Sequence, residues 1–171
     1  MGDACAAGHG IATVVPLRDR PASLPRVARW LHAAWWHRAG VSRRGAEVLL
    51  QARIALDASL PLTLIACLGT RAVGTVSLHA GRVRDTVELS GLYVLPRWRC
   101  RGIGAALCRS VEAEARRRGA GTIELKTENA AAYYADIGWQ HAGIGEVSFA
   151  GRPAPVTCMR RGLEPAEMGA C

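Results

Sequence analysis

The run Arg97-Trp98-Arg99-Cys100-Arg101-Gly102-Ile103-Gly104 places two glycines one residue apart, after a strand-like stretch and before a helix-like one. With no side chains at Gly102 and Gly104, backbone N–H groups are free to close around an anion, and the positive end of the following helix adds to the attraction. Arg97, Arg99 and Arg101 bring countercharge. In chemical terms this is a phosphate site, although a Gly-x-Gly taken alone is equally a tight strand-to-helix turn. No Gly-Lys-Ser/Thr follows, which excludes a Walker loop, and the third glycine of the dinucleotide fingerprint is missing.

Other reactive side chains carry less information. His32, His37, His79 and His141 have no partner spacing and are read as surface or satisfied-core residues. Cys5, Cys67, Cys100, Cys108, Cys158 and Cys171 show neither Cys-x-x-Cys nor Cys/His spacing, so no metal is expected and the thiols are read as free in a reducing compartment. Cys100, beside cations and a helix start, is the thiol placed for a lowered pKa.

The elements that must position the glycine loop follow from periodicity. Ile11 to Leu17 reads as a strand ending at Pro16, and Pro21-Ala22-Ser23 opens a helix with the stripe Leu24, Val27, Leu31, Ala34, Trp35. A second helix is expected over Arg43 to Ala58, burying Val48, Leu49, Ala52 and Leu56. Leu62 to Leu68 and Ala72 to His79 form a hairpin about Gly69-Thr70-Arg71, and Thr86 to Leu95 is a longer strand stopped by Pro96. The helix after the loop spans Gly102 to Arg118, with Ile103, Leu107 and Val111 inward, Glu112/Arg116 and Glu114/Arg118 as pairs, and Gly119 as its stop. A strand at Thr122 to Thr127, a helix at Asn129 to Asp136 and a hairpin of Ile144 to Phe149 with Ala154 to Arg160 complete the pattern.

A chain of 171 residues, half of them apolar, builds one core, so the expected organisation is a flexible segment over 1–10, one domain over 11–161 and a tail over 162–171. No apolar run is long enough to cross a bilayer, and the first ten residues lack the features of a secretory signal, so the expected location is cytoplasmic. The net charge of +8 rests on 21 arginines and one lysine. They are dispersed, and the densest cluster, Arg97 to Arg101, coincides with the glycine loop rather than an aromatic-interleaved surface, which argues against nucleic acid as the partner.

Two segments together suggest a family. Leu92-Tyr93-Val94-Leu95-Pro96-Arg97-Trp98-Arg99-Cys100-Arg101-Gly102-Ile103-Gly104 resembles the central GNAT motif, Arg/Gln-x-x-Gly-x-Gly/Ala after a strand with a hydrophobic-x-Val-x-Pro ending. Ala132-Tyr133-Tyr134-Ala135-Asp136-Ile137-Gly138-Trp139 is similar to the family's Phe-Tyr-Glu-Lys-Leu-Gly-Phe, one strand downstream. The resemblance covers about residues 11 to 161 and departs from the pattern at Cys100 and at the small residues Ala130 to Ala132. It implies an α/β (α+β) fold, a mixed, mostly antiparallel twisted sheet of about seven strands with about four helices.

It also implies roles. Acetyl-CoA would be the donor, its pantetheine arm lying along the main chain of Leu92, Tyr93 and Val94. Its pyrophosphate would rest on the amides of Cys100, Arg101, Gly102, Ile103, Gly104 and Ala105, with charge from Arg99 and Arg101. Tyr134 matches the tyrosine that protonates the departing thiolate, with Tyr133 as its core-facing neighbour. Glu88 matches a strand glutamate acting as base, and stands about 20 Å from Val94 along an extended strand; a structural role for it is weighed equally. Asn129 matches a pantetheine contact and is equally an ordinary helix N-cap. Direct transfer needs no acyl-cysteine, so none is expected at Cys100.

The acceptor cleft implied by the fold involves Trp30, Trp35, Trp36 and the region Glu146 to Pro155, with packing preferred for Trp35. The acceptor is read as a small-molecule amine or a peptide N-terminus, with a loose likeness to an N-terminal acetyltransferase of acidic N-termini. A homodimer is compatible with the family. Two rivals stand beside the enzyme: a silent acyl-CoA-binding module, and a basic nucleic-acid-binding protein.

Overall fold

In the computed structural model, which describes residues 12–56 and 59–163, the chain builds one sheet of seven strands in the order β1-β2-β3-β4-β5-β7-β6. The strands are β1 (Thr13–Pro16), β2 (Leu62–Leu68), β3 (Arg71–Ala80), β4 (Thr86–Val94), β5 (Thr122–Thr127), β6 (Gln140–Phe149) and β7 (Arg152–Gly162). All neighbours are antiparallel except β4 and β5. That parallel pair needs a crossover connection, supplied by α3 (Ile103–Arg117). The expected mixed, mostly antiparallel sheet with four helices is the fold observed.

Each face of the sheet has its own core. Leu62, Leu64 and Ala66 of β2 point to α3 and pack with Ile103, Leu107 and Val111, whereas Ile65 and Cys67 point to α1 (Leu24–Leu31) and α2 (Arg43–Ala55) and pack with Val27, Leu31 and Leu50. Helix α1 does not run smoothly through its predicted stripe: at His32–Trp36 it widens into a π-type turn, with the His37 amide donating to the His32 carbonyl at 3.1 Å.

The buried face of α2 differs from the expectation. Ala46 and Leu50 are inside, and Val48 and Leu49 are exposed, as is Leu56 just beyond the helix. Apolar residues occupy both sides of this helix, so its period fits two faces; docking on α1 selects the Ala46/Leu50 stripe. Ser42 caps the helix by accepting from the Gly45 amide at 3.0 Å, and Ala58, its predicted end, lies outside the described residues, as do residues 1–11.

Three further differences are local. Glu112 is buried and pairs across to Arg161 on β7 at 3.2 Å, while Glu114 pairs with Arg118 at 2.6 Å as expected. Helix α4 (Ala131–Asp136) starts after Asn129, and its N-cap position is Ala130, whose amide donates to Thr127 Oγ1 at 3.0 Å. The N-cap reading of Asn129 is therefore replaced. Leu163, assigned to the tail, is buried and its amide bonds the Gly121 carbonyl at 2.8 Å.

Candidate active site

Strands β4 and β5 pair only from Thr86/Thr122 to Leu89/Leu125, whereas β3 stays beside β4 as far as Val94. The cause is visible in the side chains. Leu89 and Leu92 are three apart yet both pack on the α3 core, so the two-residue alternation slips once between them. The slip is a β-bulge at Gly91, which has φ +60 and stands where a side chain would press on Leu31. Beyond it, β4 bends away from β5 and leaves one backbone edge open.

The opening is a cleft of about 1180 Å³. Along it run Leu92, Tyr93 and Val94 from the open edge, then Arg99, Cys100, Gly102, Gly104 and Ala105 from the glycine loop, and Glu88, Asn129 and Tyr134 from the walls. Ile103 and Arg101 are the two candidate site residues that do not line it. Ile103 is a core side chain, and the Arg101 guanidinium lies 4.9 Å over the Trp98 ring.

The loop turns through two left-handed residues, Cys100 (φ 56) and Gly102 (φ 73), and enters α3 with no side chain capping its first amides. The first-turn amides of α3 therefore lack partners within the helix and meet the cleft at the positive end of a 15-residue dipole. Arg99 folds back, donating from Nε to the Val94 carbonyl at 3.0 Å and lying 5.9 Å over the Tyr93 ring.

The two tyrosines exchange the exposures expected of them. Tyr134 is buried at 7 % yet reaches the cleft, and Tyr133, predicted to face the core, is 37 % exposed. Their rings meet edge to face at 5.3 Å, and Tyr134 packs likewise on Trp139 at 5.8 Å. Burial raises both phenols, with smaller contributions from Cys108: Tyr133 to about 12, Tyr134 upward as well. Glu88 faces the same cleft with Lys126 Nζ at 3.8 Å. On the neighbouring strand His79 is the cross-strand partner of Glu88, and its Nε2 lies 2.8 Å from Ser90 Oγ. Burial, reinforced by Arg53, lowers His79 to about 4.

At the other end Arg38 forms a two-pronged pair with Glu128, 2.6 and 2.8 Å, and lies 4.0 Å over the Phe149 ring. This contact ties the segment after α1 to the β5–α4 loop and to the β6–β7 hairpin. Trp35 and Trp36 line the cleft; Trp30 does not, being buried and stacked on Tyr93 at 5.6 Å. Beyond the cleft, Arg26, Arg29, Arg71 and Arg97 surround a second cavity of about 440 Å³.

Residues 25–139 match the model of the Acetyltransferase (GNAT) family. The chain belongs to the GNAT acetyltransferase family. Solved structures agree on the fold of this GNAT domain. An aminoglycoside 6'-N-acetyltransferase complexed with coenzyme A matches at 18 % identity and TM-score 0.73, covering 90 % of this chain and 98 % of that one. The yncA protein of Salmonella typhimurium, solved with acetyl-CoA, matches at 23 % and 0.69, covering 94 % and 99 %. A ribosomal-protein-alanine N-acetyltransferase from Brucella melitensis matches at 22 % and 0.65, covering 90 % and 99 %. No curated protein matches the chain significantly.

As a GNAT acetyltransferase the protein is an acyltransferase enzyme. Among the described residues no helix is long and apolar enough to cross a membrane. The sequence reading of this GNAT cleft missed Arg53, Arg38, Glu128 and the His79–Ser90 contact. Arg38 and Glu128 are 90 residues apart, and no spacing rule reaches that far.

Proposed function

We propose that this GNAT domain transfers an acetyl group from acetyl-CoA to a primary amine, on a small molecule or a peptide N-terminus, by direct attack. The observation that carries the reading is the open edge of β4, which leads from Glu88 past Val94 to the uncapped start of α3 in one cleft. In it an extended pantetheine arm is held by the main chain of Leu92 to Val94, with the pyrophosphate on the amides from Cys100 to Ala105 and Asn129 also in the lining. Arg99 adds charge beside the loop. Arg101, stacked on Trp98, contributes only to the surrounding field.

In this reading the amine nitrogen attacks the thioester carbonyl, the C–S bond breaks, and the amine loses a proton. Glu88 takes that proton directly or through a water, and Tyr134 gives one to the sulfur. A raised phenol pKa keeps Tyr134 protonated before transfer, as a proton donor requires. A cytoplasmic location and a homodimer belong to this proposal too.

The test is mass detection of one added acetyl group on a panel of amines, amino acids, polyamines, aminoglycosides and peptides. Tyr134→Phe should keep donor binding and lose about a hundredfold in kcat. Retained turnover in that variant removes Tyr134 from the chemistry; absent donor binding by the unaltered protein overturns the proposal as a whole.

A further inference from the structure

Four cations line the cleft, and three are satisfied by the protein itself. Arg38 is held by Glu128, Lys126 lies beside Glu88, and Arg99 donates to the Val94 carbonyl. Arg53 of α2 is the exception. Among the described residues no carboxylate, carbonyl or hydroxyl bonds its guanidinium, which rests instead 5.2 Å over the Trp36 ring. It is half-buried, and burial lowers its pKa with no opposing partner. Holding a desolvated guanidinium without an anion is unfavourable, and its planar fork suits a carboxylate.

The position of Arg53 relates it to Glu88. Both residues line the same cleft, and His79, whose pKa burial and then Arg53 lower, lies opposite Glu88 in the β3–β4 register. Burial keeps the imidazole neutral at physiological pH, so His79 adds neither an anion for Arg53 nor a second cation. One cleft therefore carries an acidic group and an unsatisfied basic group, with Trp36 against the latter and Trp35, Val147 and Phe149 also in its lining.

We infer that the acceptor is a free amino acid with an apolar side chain, its carboxylate held by Arg53, its amine directed toward Glu88 and its side chain against the tryptophans. This rests on the acetyltransferase reading and narrows its acceptor. An amine lacking an anionic group would leave Arg53 unsatisfied in the complex. A longer peptide would carry its α-carboxylate away from the site and replace it with a neutral amide.

The experiment compares apolar amino acids with their carboxamides as acceptors, in the unaltered protein and in Arg53→Gln and Arg53→Lys. The acids should exceed the amides in kcat/KM by about tenfold to a hundredfold, the scale of a charge-assisted hydrogen bond. Arg53→Gln should bring that ratio near one, and Arg53→Lys should restore part of it. Equal use of acids and amides, or a preference for peptides over free amino acids, overturns the inference.

A second measurement does not depend on turnover. With coenzyme A present, N-acetyl amino acids should raise the melting temperature of the unaltered protein and not of Arg53→Gln. Equal shifts in both, or none in either, count against the carboxylate site even if some amine is acetylated. A shift that needs Arg53, with no amine acetylated, supports the carboxylate site and places the failure in the transferase reading.

Discussion

A methyl group on Gly104 would stand 2.5 Å from the Tyr133 hydroxyl, and the next ring atom would be 3.4 Å away. Only the hydroxyl is in the way. Gly104 lies in the first turn of α3, where alanine would otherwise favour the helix by up to about 1 kcal/mol. Gly104→Ala should therefore weaken coenzyme A binding about fivefold by displacing Tyr133. Combined with Tyr133→Phe, the same change should become neutral or stabilising. A double-mutant cycle read by donor titration and melting temperature checks this, with a coupling of roughly 1 kcal/mol expected. Purely additive effects would assign the loss to the glycine itself.

The tyrosine pair should make the protein sensitive to alkali. Both phenols are raised above their ordinary value of 10, Tyr133 to about 12. A group raised on folding contributes stability that is complete below the unfolded pKa and lost as pH rises through the folded one. Urea midpoints should hold to about pH 10 and fall above it. Tyr134→Phe should flatten that fall, and an unchanged slope would show that other groups dominate.

Cys100 holds φ 56 with a side chain where the loop suits glycine. The left-handed region costs a non-glycine residue about 1 to 2 kcal/mol, partly offset by glycine's greater freedom when unfolded. Cys100→Gly should thus be more stable than Cys100→Ala by roughly 1 kcal/mol in denaturant titrations, with both variants active. Loss of turnover in both would give the thiol a role that direct transfer does not need.

The pair Arg38–Glu128 joins segments distant in sequence but is largely exposed, so its stability contribution should stay under about 1 kcal/mol and weaken with salt. Its effect should appear at the acceptor end. Arg38→Ala frees the hairpin at Phe149 and should raise acceptor KM several-fold, with donor affinity unchanged. Equal changes in both affinities would mean that the contact shapes the whole cleft.

Local patterns carried most of the architecture. The strands, the loop and α3 were legible because apolar alternation, Pro96, Gly102 and Gly119 mark them within a few residues. Helix α2 was misread where apolar residues occupy two faces, since only docking on α1 decides between Leu50 and Leu49. The donor end of the candidate site lies within one continuous stretch and was legible for that reason. The acceptor end was not, because Arg38 meets Glu128 and Phe149, and Arg53 joins Glu88 in one cleft, only after the sheet has brought them together. Tyr133 and Tyr134 were told apart by motif position, but their relative exposure depends on how α4 is seated against α3.

The open edge of β4 beyond Leu89 is made of main chain, so its donors and acceptors persist whatever side chains stand at Leu92 or Val94, provided the core stays filled. Trp35, Trp36, Arg53 and Phe149, at the opposite end, act through their side chains. The two ends therefore respond differently to mutational drift. A lineage built on this scaffold can exchange one acceptor for another by altering a few positions on α2 and the last hairpin, and inherit the same acyl-donor track intact.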